Sequence, residues 1–134
     1  MDIVKKSPWV CVFDGGGCLG CNLELKVLIT PRYDIERFGC LLRPSGRHAD
    51  ILLVTGTVTG QGRKRLRKVY EQMAPDRKVI AVGSCAITGG VFHNSYNVTP
   101  GVEKTIPVDI YVPGCPPRPE AIIDALLKAI KRLK

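Results

Sequence analysis

Six cysteines are the side chains of this sequence best equipped for chemistry. Two of them stand in "VFDGGGCLGCNLEL", residues 12–25, where two unrelated patterns overlap. Gly15, Gly17 and Gly20 spell G-x-G-x-x-G, the pattern of a loop that cradles dinucleotide phosphates. Cys18 and Cys21 spell C-x-x-C, the pattern of a redox dithiol or of half a metal site. A dinucleotide loop needs an acidic residue about 20 positions on, at the end of the second strand. Asp34 and Glu36 lie near that distance but before the second strand, and Cys18 would stand where the pyrophosphate belongs. A thioredoxin-like dithiol would leave Cys85 and Cys115 without a role. The glycines are therefore read as serving a metal.

The elements that must position these residues alternate between strand and helix. Trp9–Phe13 reads as a short buried strand introduced by Pro8. Asn22–Ile29 reads as a helix with Asn22 as its cap, stopped by Thr30-Pro31. Arg37–Arg43 and Asp50–Gly56 read as the second and third strands. Gly62–Ala74 reads as an amphipathic helix carrying Leu66, Val69, Tyr70 and Met73 on one side. Lys78–Ser84 and Val108–Gly114 read as further strands, and residues 87–107 as an irregular loop. Pro119–Leu133 reads as a closing helix, with proline in its first turn and basic residues at its end. Alternation of this kind, with Val/Ile/Leu-rich strands, predicts an α/β fold with a mostly parallel sheet covered on both faces. One domain over residues 1–134 is expected, with no linker or internal repeat.

In that architecture Cys18 and Cys21 follow the first strand, Cys85 follows "KVIAVGS", and Cys115 follows "DIYVPG". All four fall just beyond the carboxyl ends of strands, where open α/β sheets bind their ligands. Four thiolates at one edge call for a multivalent cation, and the candidates are zinc and an iron–sulfur cluster. A structural zinc site usually joins two close knuckles, whereas here one C-x-x-C is joined by two isolated cysteines on distant loops. Gly15–Gly17, Gly20, Gly83, Gly89, Gly90 and Gly114 surround the candidates. Such residues let backbone amides approach sulfur and tune a cluster. "CPP" at residues 115–117 also matches the Cys-Pro ending of ferredoxin cysteine runs. One [4Fe–4S] cluster is favoured over zinc. Cys11 and Cys40 fall inside predicted strands and read as small buried hydrophobes.

The rest of the composition narrows the class. Lys5 and Lys6 precede an apolar run that reaches only from Trp9 to Phe13, too short for a signal peptide, and no run approaches a membrane span. A soluble, intracellular protein is expected, with cysteines reduced or metal-bound. The net charge of +8 is concentrated in "GRKRLRK" and "KAIKRLK". It reads as solvated helix faces. Nucleic acid is not expected as a partner, because no aromatic residues interleave with the basic ones.

"GCLGCNLEL", "PRYDIERFG", "ADILLVTGTVT", "GSCAITGGVF" and "IPVDIYVPGCPPRPEAI" together resemble the small cluster-bearing subunit shared by energy-converting [NiFe] hydrogenases and respiratory complex I. The resemblance implies a flavodoxin-like three-layer sandwich. It also implies one [4Fe–4S] cluster held by Cys18, Cys21, Cys85 and Cys115, and a large catalytic subunit packed against it. Leu19 and Gly20 separate the first two cysteines, where the complex I version usually has them adjacent, and this favours the hydrogenase branch. The absence of a further cysteine-rich domain before Lys134 favours the compact, membrane-associated type.

By this resemblance the protein is an electron-transfer oxidoreductase subunit next to a nickel–iron site in another chain. A ferredoxin-type iron–sulfur subunit and membrane subunits complete its complex, on the inner, cytoplasmic face of the cell membrane. A quinone-reducing or sulfur-reducing complex is the alternative reaction, and a zinc-stabilised basic binding module the non-redox one. Glu24 reads as an acid at a favourable helix start, and Arg32, Asp34 and Arg37 as interface or surface groups. "TGTVTG" (Thr55–Gly60) reads as lining the cluster edge or the interface. His48 and His93 have no recognisable partner in the sequence and are assigned no role.

Overall fold

The computed structural model describes residues 8–16, 20–42, 47, 49–73, 75, 77–99, 101–115 and 117–132. Five strands form one parallel sheet: β1 (Trp9–Asp14), β2 (Leu41–Leu42), β3 (Ile51–Thr55), β5 (Lys78–Val82) and β7 (Ile110–Val112). Their spatial order is β2-β1-β3-β5-β7. Taken in chain order this is the 2-1-3-4-5 arrangement of flavodoxin-like sheets, whose topological switch lies between the first and third strands. β3, at the centre, is buried along its whole length, as a strand with helices on both faces must be.

The two faces are covered differently. Helices α1 (Gly20–Val27) and α4 (Pro119–Arg132) share one face, where Leu25, Leu28, Ile122, Ala125, Leu126 and Ala129 pack with Val10, Ile51, Leu53 and Ile80. Helix α2 (Gly60–Gln72) covers the other with Leu66, backed by Met73, against Cys11, Leu52, Val54 and Ala81. Alternate residues of each strand thus feed opposite cores, and the expected three layers are present. Thr59 caps α2, its Oγ1 accepting from the Gly62 N–H at 3.1 Å. Pro119 begins α4, where a missing N–H costs nothing.

Four expectations need correction. The stretch Arg37–Arg43 is not a strand throughout: a 3-10 turn occupies Ile35–Phe38, Gly39 turns the chain at φ 88°, and among its described residues only Leu41–Leu42 pairs. Cys40 therefore precedes β2 rather than lying in it, although it is buried as expected. Asn22 is not a helix cap, because α1 already begins at Gly20. Residues 87–107 are not structureless: a short helix α3 (Ser84–Thr88) enters the stretch, and β6 (Val98–Thr99) pairs antiparallel with β4 (Val58–Thr59). His48 lies outside the described residues.

The Thr59 cap provides a stability test. Thr59→Ala should lower unfolding free energy by about 1 kcal/mol, read as a lower urea midpoint at unchanged slope. Thr59→Ser, which keeps the acceptor oxygen, should recover most of it.

Candidate metal centre

Strand register builds the site. Asp14 pairs with Thr55, Thr55 with Val82 and Val82 with Val112, so these four residues form one row across the carboxyl edge of the sheet. Counting from that row, Cys85 is the third residue past Val82 (85 − 82 = 3), and Cys115 is the third past Val112 (115 − 112 = 3). Neighbouring parallel strands thus deliver two cysteines distant in sequence to the same edge of the sheet.

The turns that carry them are tied together. Gly83 N–H donates to the Val112 carbonyl at 2.8 Å, and Ser84 N–H donates to the Gly114 carbonyl at 2.9 Å. Ser84 Oγ reaches the same oxygen at 3.3 Å. Cys21 arrives from α1: a methyl group built on Gly83 would lie 2.5 Å from its Sγ. Gly83 also has φ +89°, so an L side chain is excluded there by both conformation and space. A Cβ on Gly90 would likewise press on Cys85 Sγ, at 3.2 Å. Glycine thus clears backbone from two sulfurs. Cys21 and Cys85 are half-buried, while Cys115 is exposed.

Cys18 lies outside the described residues, so its position relative to these three is not part of the geometry. Among the described residues, no three His, Cys, Asp or Glu side chains stand close enough to hold a metal ion.

A polar network that the sequence reading missed anchors the first turn. Asp14 Oδ1 accepts from the Gly16 N–H at 3.0 Å, and its Oδ2 accepts from Asn22 Nδ2 at 3.0 Å. Asn22 Oδ1 in turn accepts from the buried Thr55 hydroxyl at 2.6 Å. Thr57, also buried, donates its hydroxyl to the Gly16 carbonyl at 3.1 Å. The ends of β1 and β3 and the start of α1 are thereby held as one unit, with Thr55 and Thr57 of "TGTVTG" among its members. The legible signal was Asp two residues before a turn amide, the spacing of an Asx turn.

The remaining candidates are dispersed. Cys11 and Cys40 are buried in the cores, and burial pushes the Cys11 thiol up and the Cys40 thiol to about 11. His93 is exposed, with Nδ1 2.9 Å from the Thr88 carbonyl oxygen, which can only accept. Glu24 is half-buried on α1. The Arg32 and Arg37 guanidiniums lie over the rings of Tyr33 and Phe38 at 5.6 and 4.6 Å. Asp34 has φ 36°, an uncommon left-handed conformation for a residue with a side chain.

Cys21, Cys85 and Cys115 thus follow strand ends at the carboxyl edge of a flavodoxin-like sheet, the edge where such sheets bind ligands. A profile of the family described as NADH ubiquinone oxidoreductase, 20 Kd subunit, matches residues 18–129, and the chain belongs to that family. It is 49% identical to the probable membrane-bound hydrogenase subunit mbhJ of Pyrococcus furiosus, across 97% of this chain and 78% of that protein. It is 50% identical to an NADH-quinone oxidoreductase subunit of Heliobacterium modesticaldum, across 84% of this chain and 65% of that one. Among solved structures, a chain of the membrane-bound sulfane sulfur reductase, an archaeal respiratory membrane complex, superposes with TM-score 0.81 at 46% identity. That match spans 96% of this chain and 72% of the other. A chain of an NAD+-reducing [NiFe]-hydrogenase shares the fold with TM-score 0.72 at 20% identity, spanning 96% and 93% of the two chains.

The buried thiols predict a protection pattern. In the folded protein at about pH 8, Cys11 and Cys40 should resist iodoacetamide, and both should react after denaturation, as mass spectrometry of peptides can read. The unfolded chain loses the Cys40 proton near the ordinary 9.0 while the folded chain keeps it to about 11. Between those values the unfolded state binds fewer protons, so stability should fall as pH rises through that window, an effect absent in Cys40→Ala.

Proposed function

We propose that this chain is the electron-transfer subunit of a membrane-associated, energy-converting [NiFe] hydrogenase complex, holding one [4Fe–4S] cluster on Cys18, Cys21, Cys85 and Cys115. The observation that carries the reading is the meeting of Cys21 Sγ with the hydrogen-bonded turns of Cys85 and Cys115. The donor chemistry suits such a group: cysteine thiols, with Gly83 and Gly90 leaving room beside the sulfurs of Cys21 and Cys85. When bound, the cluster supplies one-electron redox chemistry, which side chains of this type do not. The chain's own part would be to fix the cysteine-bearing segments through the Gly83–Val112 and Ser84–Gly114 hydrogen bonds.

A covering partner fits the same region. Beside α1, a cleft of about 260 Å³ is lined by Val12, Asn22, Leu23, Leu25, Lys26 and Leu42. Leu23 is 61% exposed there, an apolar side chain just past Cys21 on the same helix. In this reading a large catalytic subunit covers that edge and carries the nickel–iron site. Electrons arrive through a ferredoxin-type iron–sulfur subunit, and membrane subunits place the complex on the inner face of the cell membrane. Reduction of sulfur species is the second reading, favoured by the 46% identity to the sulfane sulfur reductase chain.

Protein purified without oxygen should contain about four irons and four acid-labile sulfides per chain. Zinc without sulfide would overturn the reading. Cys85→Ser and Cys115→Ser should each abolish the native cluster signal in electron paramagnetic resonance, while Cys11→Ser and Cys40→Ser leave it. Loss with Cys40→Ser and retention with Cys115→Ser would refute the ligand set. Gly83→Ala should lower iron and sulfide content, because its methyl group meets Cys21 Sγ at 2.5 Å. Nickel in the partner chain with hydrogen evolution would support the hydrogenase reading; sulfur reduction without nickel would replace it.

A further inference from the structure

The two long helices are charged by opposite rules. In α4, Glu120 lies in the first turn, Lys131 and Arg132 in the last, and Asp124 pairs with Lys128 at 3.1 Å, four residues on. That arrangement follows both the helix dipole and the favourable i,i+4 pairing. In α2 the pattern is reversed. Arg63, Lys64 and Arg65 crowd its amino-terminal half, Glu71 stands near its carboxyl end, and neither end carries a charge that complements the dipole. Arg63 and Arg67, and Lys64 and Lys68, are like charges at i,i+4, which destabilise a helix.

Nothing within the described chain compensates this. Arg63, Lys64, Arg65, Arg67 and Lys68 are all exposed, and among the described residues none of the five has a carboxylate within ion-pair distance. Four of them, with Glu71, line a groove of about 390 Å³. The groove therefore lies between two rows of cations on one helix face. A helix so arranged is stabilised by anions from outside the chain.

We infer that the exposed face of α2 docks on anionic lipid headgroups, their phosphates seating between the Arg63/Arg67 and Lys64/Lys68 rows. Five basic residues on one amphipathic helix make the pattern that anionic membranes attract. Protein interfaces enrich aromatic residues and arginine and deplete lysine, so the two lysines and the lack of an exposed aromatic, rather than the three arginines, set this face apart. Here Gln61, Glu71 and Gln72 are the other exposed polar neighbours, and no aromatic residue lies among the cations. The apolar side of α2 is already packed on the sheet through Leu66, Val69 and Tyr70, so the helix offers a bilayer charge rather than insertion. None of the described helices is long and apolar enough to cross a membrane. The amino-terminal end of α2 abuts the glycine turn, since a Cβ on Gly62 would lie 3.3 Å from the Gly15 carbonyl oxygen. Docking there would set the carboxyl edge of the sheet close to the membrane surface.

The inference rests on the membrane-complex reading, but its test reads neither electrons nor iron, so either can fail alone. The full-length chain, purified without oxygen, is sedimented with vesicles of phosphatidylcholine, or of phosphatidylcholine with about one-third phosphatidylglycerol. Partitioning onto the anionic vesicles should be roughly 100-fold greater and should weaken with salt. The quadruple variant Arg63→Gln/Lys64→Gln/Arg67→Gln/Lys68→Gln should fall to the neutral-vesicle level. Glutamine keeps helix propensity, and should the quadruple variant misfold, each double variant alone should take part of the loss. The control Lys104→Gln/Lys128→Gln/Lys131→Gln, which removes charge elsewhere, should bind like the parent. Equal binding to both vesicle types, no binding at all, or equal losses in the α2 and control variants would overturn the inference. So would tighter retention on duplex DNA or on polyglutamate than on anionic vesicles at the same salt.

Discussion

At the carboxyl end of β5, the sulfur of Cys21 rests against a backbone that carries no side chain. Gly83 leaves the space that a single Cβ would fill, 2.5 Å from Sγ, and its own N–H is committed to Val112 on the neighbouring strand. Because Ser84 then bonds Gly114, the turns bearing Cys85 and Cys115 cannot move independently of one another. The helix that brings Cys21 is tied to the same edge by that contact. Displacing Gly83 would disturb three cysteine-bearing segments together.

The parallel sheet makes this possible because all its strands point the same way. Four neighbouring strand ends open at one edge, where Asp14, Thr55, Val82 and Val112 stand in register. The buried Thr55 hydroxyl at this edge needs a partner and finds it in half-buried Asn22, which exposed Asp14 holds in turn, so the three form a chain linking two strands and a helix. The same bonds that satisfy the edge also fix the glycine turn. Site rigidity here is a consequence of hydrogen-bond satisfaction.

The interior of this family member sets positions, and in the proposed reading two of its surfaces face other molecules. The central strand and both cores are made of ordinary aliphatic packing. The exposed residues that depart from ordinary rules lie elsewhere, in the apolar cleft beside α1 and on the basic face of α2. Neither is explained by folding alone. Each supplies a surface whose energy improves when something covers it.

Strands β1, β3 and β5 and helices α2 and α4 were legible in the sequence because each carries its own period of apolar residues. So was the placement of Cys21, Cys85 and Cys115 just past strand ends, since strand ends are local features. Three things only the tertiary structure decided. The β4–β6 ribbon joins two-residue strands that lie far apart in the chain, too short to show a period. Residues 37–43 look strand-like in composition, yet past the Gly39 turn Leu41 and Leu42 alone among the described residues of this stretch pair with β1. Asn22 has the chemistry of a cap, but Asp14 and Thr55 reach it first in space and take both ends of its amide. Local patterns determined which elements form. Contacts between distant residues determined which side chains those elements bring together, because such contacts depend on register and packing that no single stretch contains.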